Sequence, residues 1–183
     1  MKTNRSRYAI LGLLSHKPST GYDIRKTIEQ ELSHFWNESY GQIYPILNAL
    51  AAEKLATCRR RRQSGKPDRQ VYSITARGRR ALREWLRQPA ALQTERNETL
   101  LKLLFSESLS PSERRGLIES YRQKQQELLA QLNEIEKTLD DQYRDRDHSG
   151  FDTRLLTVSH GRAEARARIR WCDQVLRELG APS

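Results

Sequence analysis

Apolar residues in the first 52 positions recur at helical spacing in three short segments. The first, at about 5–15, is apolar on most faces and ends before Pro18, as helices commonly do. The second places Ile24, Ile28 and Leu32 four residues apart. The third carries apolar residues at i, i+3, i+4 and i+7, namely Ile43, Ile46, Leu47 and Leu50. The pattern therefore predicts three successive helices.

Polar residues mark the beginnings of the second and third helices. Thr20 can cap the second, and Asp23 follows it three residues later near the positive helix end. Ser39 and Gln42 form a Ser-x-x-Gln capping box for the third. Pro45 is awkward because inside a helix it removes a backbone hydrogen bond. Either the third helix begins near Pro45, or its first turn is distorted.

The spacing of apolar residues changes from helical to strand-like after residue 55. Residues 57–62 and 71–75 have strand character, and a polar loop with glycine and proline, 63–69, separates them. A fourth amphipathic helix is predicted at about 75–87, ending at Gln88-Pro89. Helix, helix, helix, hairpin, helix is the order of a winged helix-turn-helix, with the hairpin as a two-stranded wing.

The second half is helical throughout in its pattern. An apolar segment spans 97–107, and a capping box at Ser110 and Glu113 opens the next helix. Along this helix, residues three and four apart form the a and d positions of three heptads, namely Ile118, Tyr121, Gln125, Leu128, Leu132, Ile135 and Leu139. After a polar break at 145–150, a last helix steps likewise through Leu155, Val158, Arg162, Ala165, Ile169, Cys172, Leu176 and Leu179.

Two heptad helices joined by a short polar loop are expected to form an antiparallel pair. A second copy of the chain is the economical cover for the remaining apolar surface, so a homodimer is predicted. The alternative is packing on the chain's own N-terminal domain. The predicted dimer contacts are Ile10, Leu128, Leu132, Ile135, Leu139, Leu155, Val158, Ile169, Cys172 and Leu176. The predicted fold is mainly α: a winged helix-turn-helix at 1–89 and a helical dimerisation and effector domain at 90–183.

Charge is distributed unevenly along the 183 residues. Residues 1–89 carry 18 Lys/Arg and 7 Asp/Glu, a net +11, whereas the remaining 94 residues carry a net −1. This asymmetry indicates a polyanionic partner for the first half, although a solvated basic surface is an alternative. An apolar run at 8–14 lacks a signal cleavage site, and no stretch reaches the length of a membrane span. A cytoplasmic location and no membrane partner are expected.

The chain lacks motifs for catalysis or metal binding. Cys58 and Cys172 lie far apart, and the four histidines are scattered, so a metal site is not expected. We find no paired nucleophile and base at motif spacing and no phosphate-binding glycine loop. No enzymatic activity and no cofactor are expected.

The third helix carries a second, non-apolar face. At 100° per residue this face presents Gly41, Tyr44, Pro45, Asn48, Ala49 and Ala52. Its small residues permit close approach, while Asn48 can offer an amide to an adenine edge and Tyr44 a hydroxyl to phosphate or base. Ser39 and the free N–H groups at the helix start can bind phosphate. Equally, Asn48 could be an ordinary exposed residue.

Four arginines, Arg59, Arg60, Arg61 and Arg62, occupy the first predicted strand. Their side chains alternate between faces, and burying two unpaired arginines is costly, so the strand is expected to be open on both sides. With Ser64, Lys66 and Arg69 they predict a cationic tip that contacts phosphates. A solvated charge run is the alternative.

Several motifs together resemble the PadR-type transcriptional regulators: Ile10-Leu11-Gly12-Leu13-Leu14, Gly21-Tyr22-Asp23-Ile24, Phe35-Trp36, Gln42-Ile43-Tyr44-Pro45-Ile46-Leu47, Leu50, Tyr72-Ser73-Ile74-Thr75, Gly78 and Trp85-Leu86. The resemblance covers 8–87 and is most specific over 21–50. The second half resembles the longer family members in having a helical dimerisation domain. One departure is Lys54-Leu55, where the family usually has Gly-Leu, at the turn from third helix to wing. The dense arginine run is another.

The resemblance implies a dimeric repressor that a small molecule releases. The third helix, with its proline, would enter the major groove, and the wing would touch the adjacent backbone. Because a two-fold dimer reads an inverted repeat, an inverted-repeat operator is expected. The implied DNA contacts are Thr20, Tyr22, Ser39, Tyr40, Gly41, Gln42, Tyr44, Pro45, Asn48, Arg59, Arg60, Arg61, Arg62, Ser64, Lys66 and Arg69.

A small aromatic or apolar effector is expected to bind among aromatic residues between the domains, namely Trp36, Trp85, Phe105, Tyr121 and Trp171. The alternative is that these residues belong to the hydrophobic core, as aromatic residues at helical spacing more often do. Two further functions remain open, an architectural DNA-binding protein without ligand control and an enzyme or RNA-processing factor, although the lack of catalytic motifs argues against the last.

Overall fold

The computed structural model describes residues 5–33, 35–36, 40–63, 66–90, 96–144 and 153–180. The chain forms two compact units, which divide between Leu92 and Gln93. The N-terminal unit contains, in order, α1 (Ser6–His16), β1 (Ser19–Thr20), α2 (Gly21–Thr27), α3 (Tyr40–Ala52), β2 (Ala56–Gln63), β3 (Lys66–Ile74) and α4 (Ala76–Leu86). A π-helical segment, Ile28–Leu32, continues α2.

The core of the N-terminal unit lies between α1, α2, α3 and the inner face of β3. Its buried side chains are those of the predicted helical stripes together with Leu55, Ala56 and Tyr72. Ile10, which was predicted to contact a second chain, is wholly buried in this core. The structure therefore gives Ile10 a packing role, because its side chain presents no surface to a partner.

The sheet has three antiparallel strands in the order β1-β3-β2, not the two that the sequence predicts. The additional strand arises because Ser19 and Thr20 run extended beside β3, where Ser19 pairs with Tyr72. The loop predicted at 63–69 is also wrong for most of its length. Backbone pairing of β2 with β3 continues to Gln63 and Lys66, since pairing satisfies the backbone N–H and C=O groups of this polar segment.

The turn from α3 to β2 keeps its geometry although Lys54 occupies it. Lys54 has φ +59°, in the left-handed region that favours glycine. The Lys54 N–H donates to the Ala51 carbonyl at 3.0 Å, and the Leu55 N–H donates to the Leu50 carbonyl at 2.9 Å. These two bonds form a Schellman motif, so this turn ends α3 with a lysine at the position glycine usually takes.

Replacing Lys54 with glycine is expected to stabilise the N-terminal unit by about 1 kcal/mol, because a left-handed conformation strains a residue that has a Cβ. Urea unfolding measures the change. Lys54→Ala is the matched control, since it removes the same charge and keeps the Cβ. If alanine and glycine stabilise the unit equally, the backbone strain is not the cause.

The base of the wing packs directly on α4. Thr75 caps α4 by accepting a hydrogen bond from the Gly78 N–H at 3.0 Å, and its own N–H donates to the Leu55 carbonyl at 3.0 Å. A Cβ added to Gly78 would lie 2.1 Å from the Leu55 carbonyl oxygen. Only glycine therefore allows this close approach between α4 and the residue that leads into β2.

The C-terminal unit consists of α5 (Glu98–Leu104), a 3-10 turn (Ser106–Ser108), α6 (Pro111–Arg144) and α7 (Thr153–Glu178). The predicted capping box is present at Ser110, whose backbone N–H donates to the Glu113 carboxylate at 2.8 Å. Early residues of α6 meet late residues of α7, as in the Arg122–Asp173 ion pair of 2.6 Å. The two long helices are therefore antiparallel, as predicted.

The heptad stripes of α6 and α7 pack against each other within one chain. Leu132, Leu139 and Val158 are buried together, with Leu128, Ile135 and Leu155 half-buried around them. Cys172 is also wholly buried, while Ile169 and Leu176 are half-buried. These residues were predicted to contact a second chain. Those that are wholly buried already have their contact surface covered, so a partner can reach only the half-buried ones.

Candidate nucleic-acid interface

One face of α3 is open, as its sequence predicts. Ile43, Leu47 and Leu50 are buried, whereas the opposite face is exposed and carries Gly41, Gln42, Tyr44, Pro45, Asn48, Ala49 and Ala52. The small residues on this face leave the helix backbone accessible. A helix of this kind can approach the base edges of a major groove closely.

Pro45 lies inside α3, which begins at Tyr40. Of the two possibilities left open by the sequence, a helix start at Pro45 is therefore wrong. The proline removes the backbone donor that would bind the Gly41 carbonyl four residues earlier. Because Gly41 is exposed, water can satisfy that carbonyl.

The start of α2 borders the open face of α3. A Cβ at Gly21 would lie 2.6 Å from Cε1 of Tyr44, so the tyrosine ring rests on the α2 terminus while 46% of the residue stays exposed. Tyr22 is also exposed. Thr20 accepts a hydrogen bond from the Asp23 N–H at 3.1 Å and donates to the Asp23 carboxylate at 2.7 Å. The Thr20 hydroxyl thus serves the capping box.

The wing presents arginines on both of its faces. β2 is an edge strand, and the neighbouring Arg59 and Arg60, whose side chains alternate in direction, are both exposed. Arg69 on β3 is exposed as well. Hydrogen bonds from Thr20, then the charges of Arg69 and Lys17, hold the pKa of the Asp23 carboxyl below its usual range. Arg69 is thereby placed near the start of α2.

Some predicted contacts lie outside the described residues. Ser39 and Ser64 are among them, as are the side chains of Tyr40, Arg61, Arg62 and Lys66.

Tyr72 joins the wing to α3, a contact that the sequence did not reveal. Its hydroxyl lies 3.2 Å from Oδ1 of Asn48 and 3.0 Å from Oε1 of Gln70, although the residue is only 1% exposed. Burial, and then the neighbouring Cys58, raise the pKa of Tyr72 to about 12. Gln70 and Tyr72 share one face of β3 by alternation, but only the fold shows that this face meets Asn48.

The five predicted effector residues do not form one cluster within either unit. Tyr121 and Trp171 meet edge to face, with ring centroids 6.3 Å apart. Trp85 instead stacks on Tyr8 in the N-terminal unit at 4.7 Å. Trp36 is half-buried after the π-helical segment, and Phe105 is exposed. The C-terminal unit therefore brings together two of the five.

Within the part of the chain that the structure describes, no group of three or more His, Cys, Asp or Glu is placed to hold a metal ion. No helix in the described ranges is both long and apolar enough to cross a membrane.

An exposed helix-turn-helix face beside an arginine-bearing wing defines a winged-helix DNA-binding transcriptional regulator. Residues 10–84 match the Transcriptional regulator PadR-like family, and residues 95–180 match the C-terminal region named Virulence activator alpha C-term. The chain is 37% identical over 127 residues to the Negative transcriptional regulator PadR of Bacillus subtilis, covering 69% of this chain and 70% of that protein. The chain belongs to the PadR family, which confirms the resemblance drawn from its motifs.

Solved structures show the same architecture. The crystal structure of Bacillus subtilis PadR in complex with operator DNA has a TM-score of 0.87 at 28% identity, covering 97% of this chain and 99% of that chain. The structure of the same protein in complex with p-coumaric acid has a TM-score of 0.74 at 27% identity, covering 96% and 98%.

Proposed function

We propose that this protein is a homodimeric repressor that binds an inverted-repeat operator and is released by a small aromatic effector. One observation carries the DNA-binding part: the Tyr72 hydroxyl links the exposed Gln70 of the wing to the exposed Asn48 on the open face of α3. The similar PadR of Bacillus subtilis is a negative regulator and was crystallised with operator DNA.

In this proposal, α3 enters the major groove and the wing follows the adjacent backbone. Asn48 offers an amide to an adenine edge, while Arg59, Arg60 and Arg69 neutralise phosphates. The net charge of +11 on residues 1–89 supports this division, since phosphate contacts supply affinity and base contacts supply preference.

Replacing Asn48 with alanine is expected to cost roughly 1–3 kcal/mol on the preferred site and to relax the preference at one position per half-site. Binding to sheared genomic DNA should change little. Gel-shift titrations on both DNAs measure the ratio. Gln30→Ala, which removes an exposed amide on the π-helical segment, is the control. Equal loss on both DNAs would show that Asn48 does not read a base.

An architectural role without sequence preference is the second candidate, and the exposed arginines on both wing faces favour it. The same titrations separate the two functions. A repressor should prefer its site by about a thousandfold or more over bulk DNA. An architectural protein would bind both with similar affinity.

The exposed apolar face of α5 supports the dimer. Leu100, Leu101, Leu104 and Phe105 are 47–72% exposed, although leucine and phenylalanine are usually buried. Adjacent exposed residues of this kind mark interaction surfaces. A second copy of the chain, seated on α5 and on the half-buried residues of α6 and α7, would cover them.

The edge-to-face pair Tyr121–Trp171 is the proposed effector contact. Asn97 donates from Nδ2 to the Tyr121 hydroxyl at 3.0 Å. Gln125, one turn further along α6, is buried, and its Oε1 has no hydrogen-bond partner among the described residues. An aromatic ligand with a hydroxyl group could stack here and supply that donor. The p-coumaric acid bound to Bacillus subtilis PadR has this chemistry.

Replacing Trp171 with leucine should therefore raise the p-coumaric acid concentration needed for half-release of DNA by about 5- to 10-fold, the loss expected for one aromatic contact. Gel shifts on the preferred duplex measure the release. Trp85→Leu, which removes a tryptophan from the N-terminal unit, is the control. Similar responses of both variants, or no release of the intact protein, would contradict this site.

A further inference from the structure

Two amide groups compete for one proton at Tyr72. Its hydroxyl lies within hydrogen-bond distance of Asn48 Oδ1 and Gln70 Oε1, at 3.2 Å and 3.0 Å. A phenolic hydroxyl has a single proton to donate and can otherwise only accept. When one amide presents its oxygen and takes that proton, the other can bond the hydroxyl only through its NH2 group. The Cys58 thiol also neighbours the hydroxyl, but a thiol is a weak hydrogen-bond partner and does not displace an amide oxygen.

The amide atom that Asn48 or Gln70 turns toward Tyr72 determines which amide atom it presents on the opposite side. An amide that turns its oxygen toward Tyr72 turns its NH2 group away, and the reverse holds for the other. Asn48 and Gln70 are both exposed, so the amide atoms that point away from Tyr72 are available to a ligand. Together they offer one donor and one acceptor, in one of two orders.

We propose that Tyr72 is a positioning residue that joins Asn48 and Gln70 into one base-reading unit with coupled preferences at two base pairs. The inference rests on the proposed function, and it adds Gln70 as a second reader. Base pairs differ in the order of donors and acceptors along their major-groove edges. A base that selects the orientation of one amide therefore also selects the orientation of the other.

The surroundings of Tyr72 hold its ring, and therefore its hydroxyl, in a fixed position. β3 is paired on both sides, with Ser19 opposite Tyr72 on β1 and Cys58 opposite it on β2. The ring is held in the core with Leu47 and Leu50 of α3. The pKa of Tyr72, raised to about 12 by burial and by Cys58, lies far above the physiological pH range, so the hydroxyl keeps its proton there.

The test is selection of sites from random duplex DNA by the intact protein and by the variants Y72F, N48A, Q70A and N48A/Y72F. N48A and Q70A should each relax one position. Y72F removes only the hydroxyl, so it should weaken both preferences by roughly 3- to 10-fold, the worth of one hydrogen bond, and abolish their correlation. Affinity for sheared genomic DNA should be unchanged. In the double variant, the position read by Asn48 should match that of N48A. Y8F is the matched control, since Tyr8 stacks on Trp85 instead.

Different failures have different meanings. If Y72F selects the same sites with the same correlation as the intact protein, the coupling is wrong while operator recognition stands. Unchanged sites with Q70A, a substitution at an exposed position that spares the core, would also overturn it. If N48A leaves every position unchanged, neither Asn48 nor the unit reads bases. An intact protein without any preferred site would contradict the proposed function itself.

Discussion

The double substitution L101E/L104E is expected to convert the protein to a monomer and to lower its affinity for the two-half-site operator by about 10²- to 10⁴-fold. Both leucines are exposed on α5, at 57% and 71%, so the charges should not disturb the fold of the chain. In the proposed dimer they would instead be buried between two copies, where unpaired carboxylates are costly. Without linkage, each half-site is bound separately and the gain from effective concentration is lost.

Sedimentation and gel shifts on full and half operators measure this effect. K102E is the matched control, because it lies on the same helix, is exposed and also changes the net charge by −2. Affinity for a single half-site should be similar in both variants. A double variant that remains dimeric and binds the full operator tightly would place the dimer contact away from α5.

Replacing Arg59 and Arg60 with alanine is expected to flatten the dependence of log affinity on log salt by about 1.8 per chain, since each phosphate contact contributes about 0.9. Each such contact is worth roughly eightfold in affinity at 0.1 M salt relative to 1 M salt, so loss of the pair should lower the affinity by about 60-fold per chain. The loss should be the same on specific and bulk DNA, because phosphate contacts carry no sequence information.

R80A/R83A controls for net charge, since both arginines are exposed on α4 and their loss changes the charge equally. Affinities measured between 50 and 200 mM salt on both DNAs give the slopes (a range over which contacts of this kind have large effects). An unchanged slope in R59A/R60A would show that these wing arginines do not contact DNA phosphates. A loss confined to the preferred site would make these arginines base readers instead.

The helices could be predicted from the sequence because local patterns determine them. The stripe Ile43, Leu47 and Leu50 places α3 and its open face, since a 3.6-residue period leaves one face apolar and the other polar. The capping box of Ser110 and Glu113 marks the start of α6 for a similarly local reason. Heptad spacing likewise predicts the antiparallel α6–α7 pair.

Strand pairing was harder to predict because it joins residues distant in the sequence. Polar residues at 66–69 look like a loop, yet backbone bonds to β2 make them strand. The two residues of β1 are too few to show a period, and they become a strand only beside β3. The effect of Pro45 also could not be predicted from the sequence, since only the structure shows that α3 continues through this residue.

By itself, the sequence determined the winged-helix order, the basic N-terminal half and the family, all of which depend on residue identity and local spacing. Only the tertiary structure decided which side chains share a site. It placed Gln70 and Tyr72 beside Asn48, stacked Trp85 on Tyr8, and left the α5 leucines exposed. The reason is that packing brings together positions whose sequence separation carries no periodic signal.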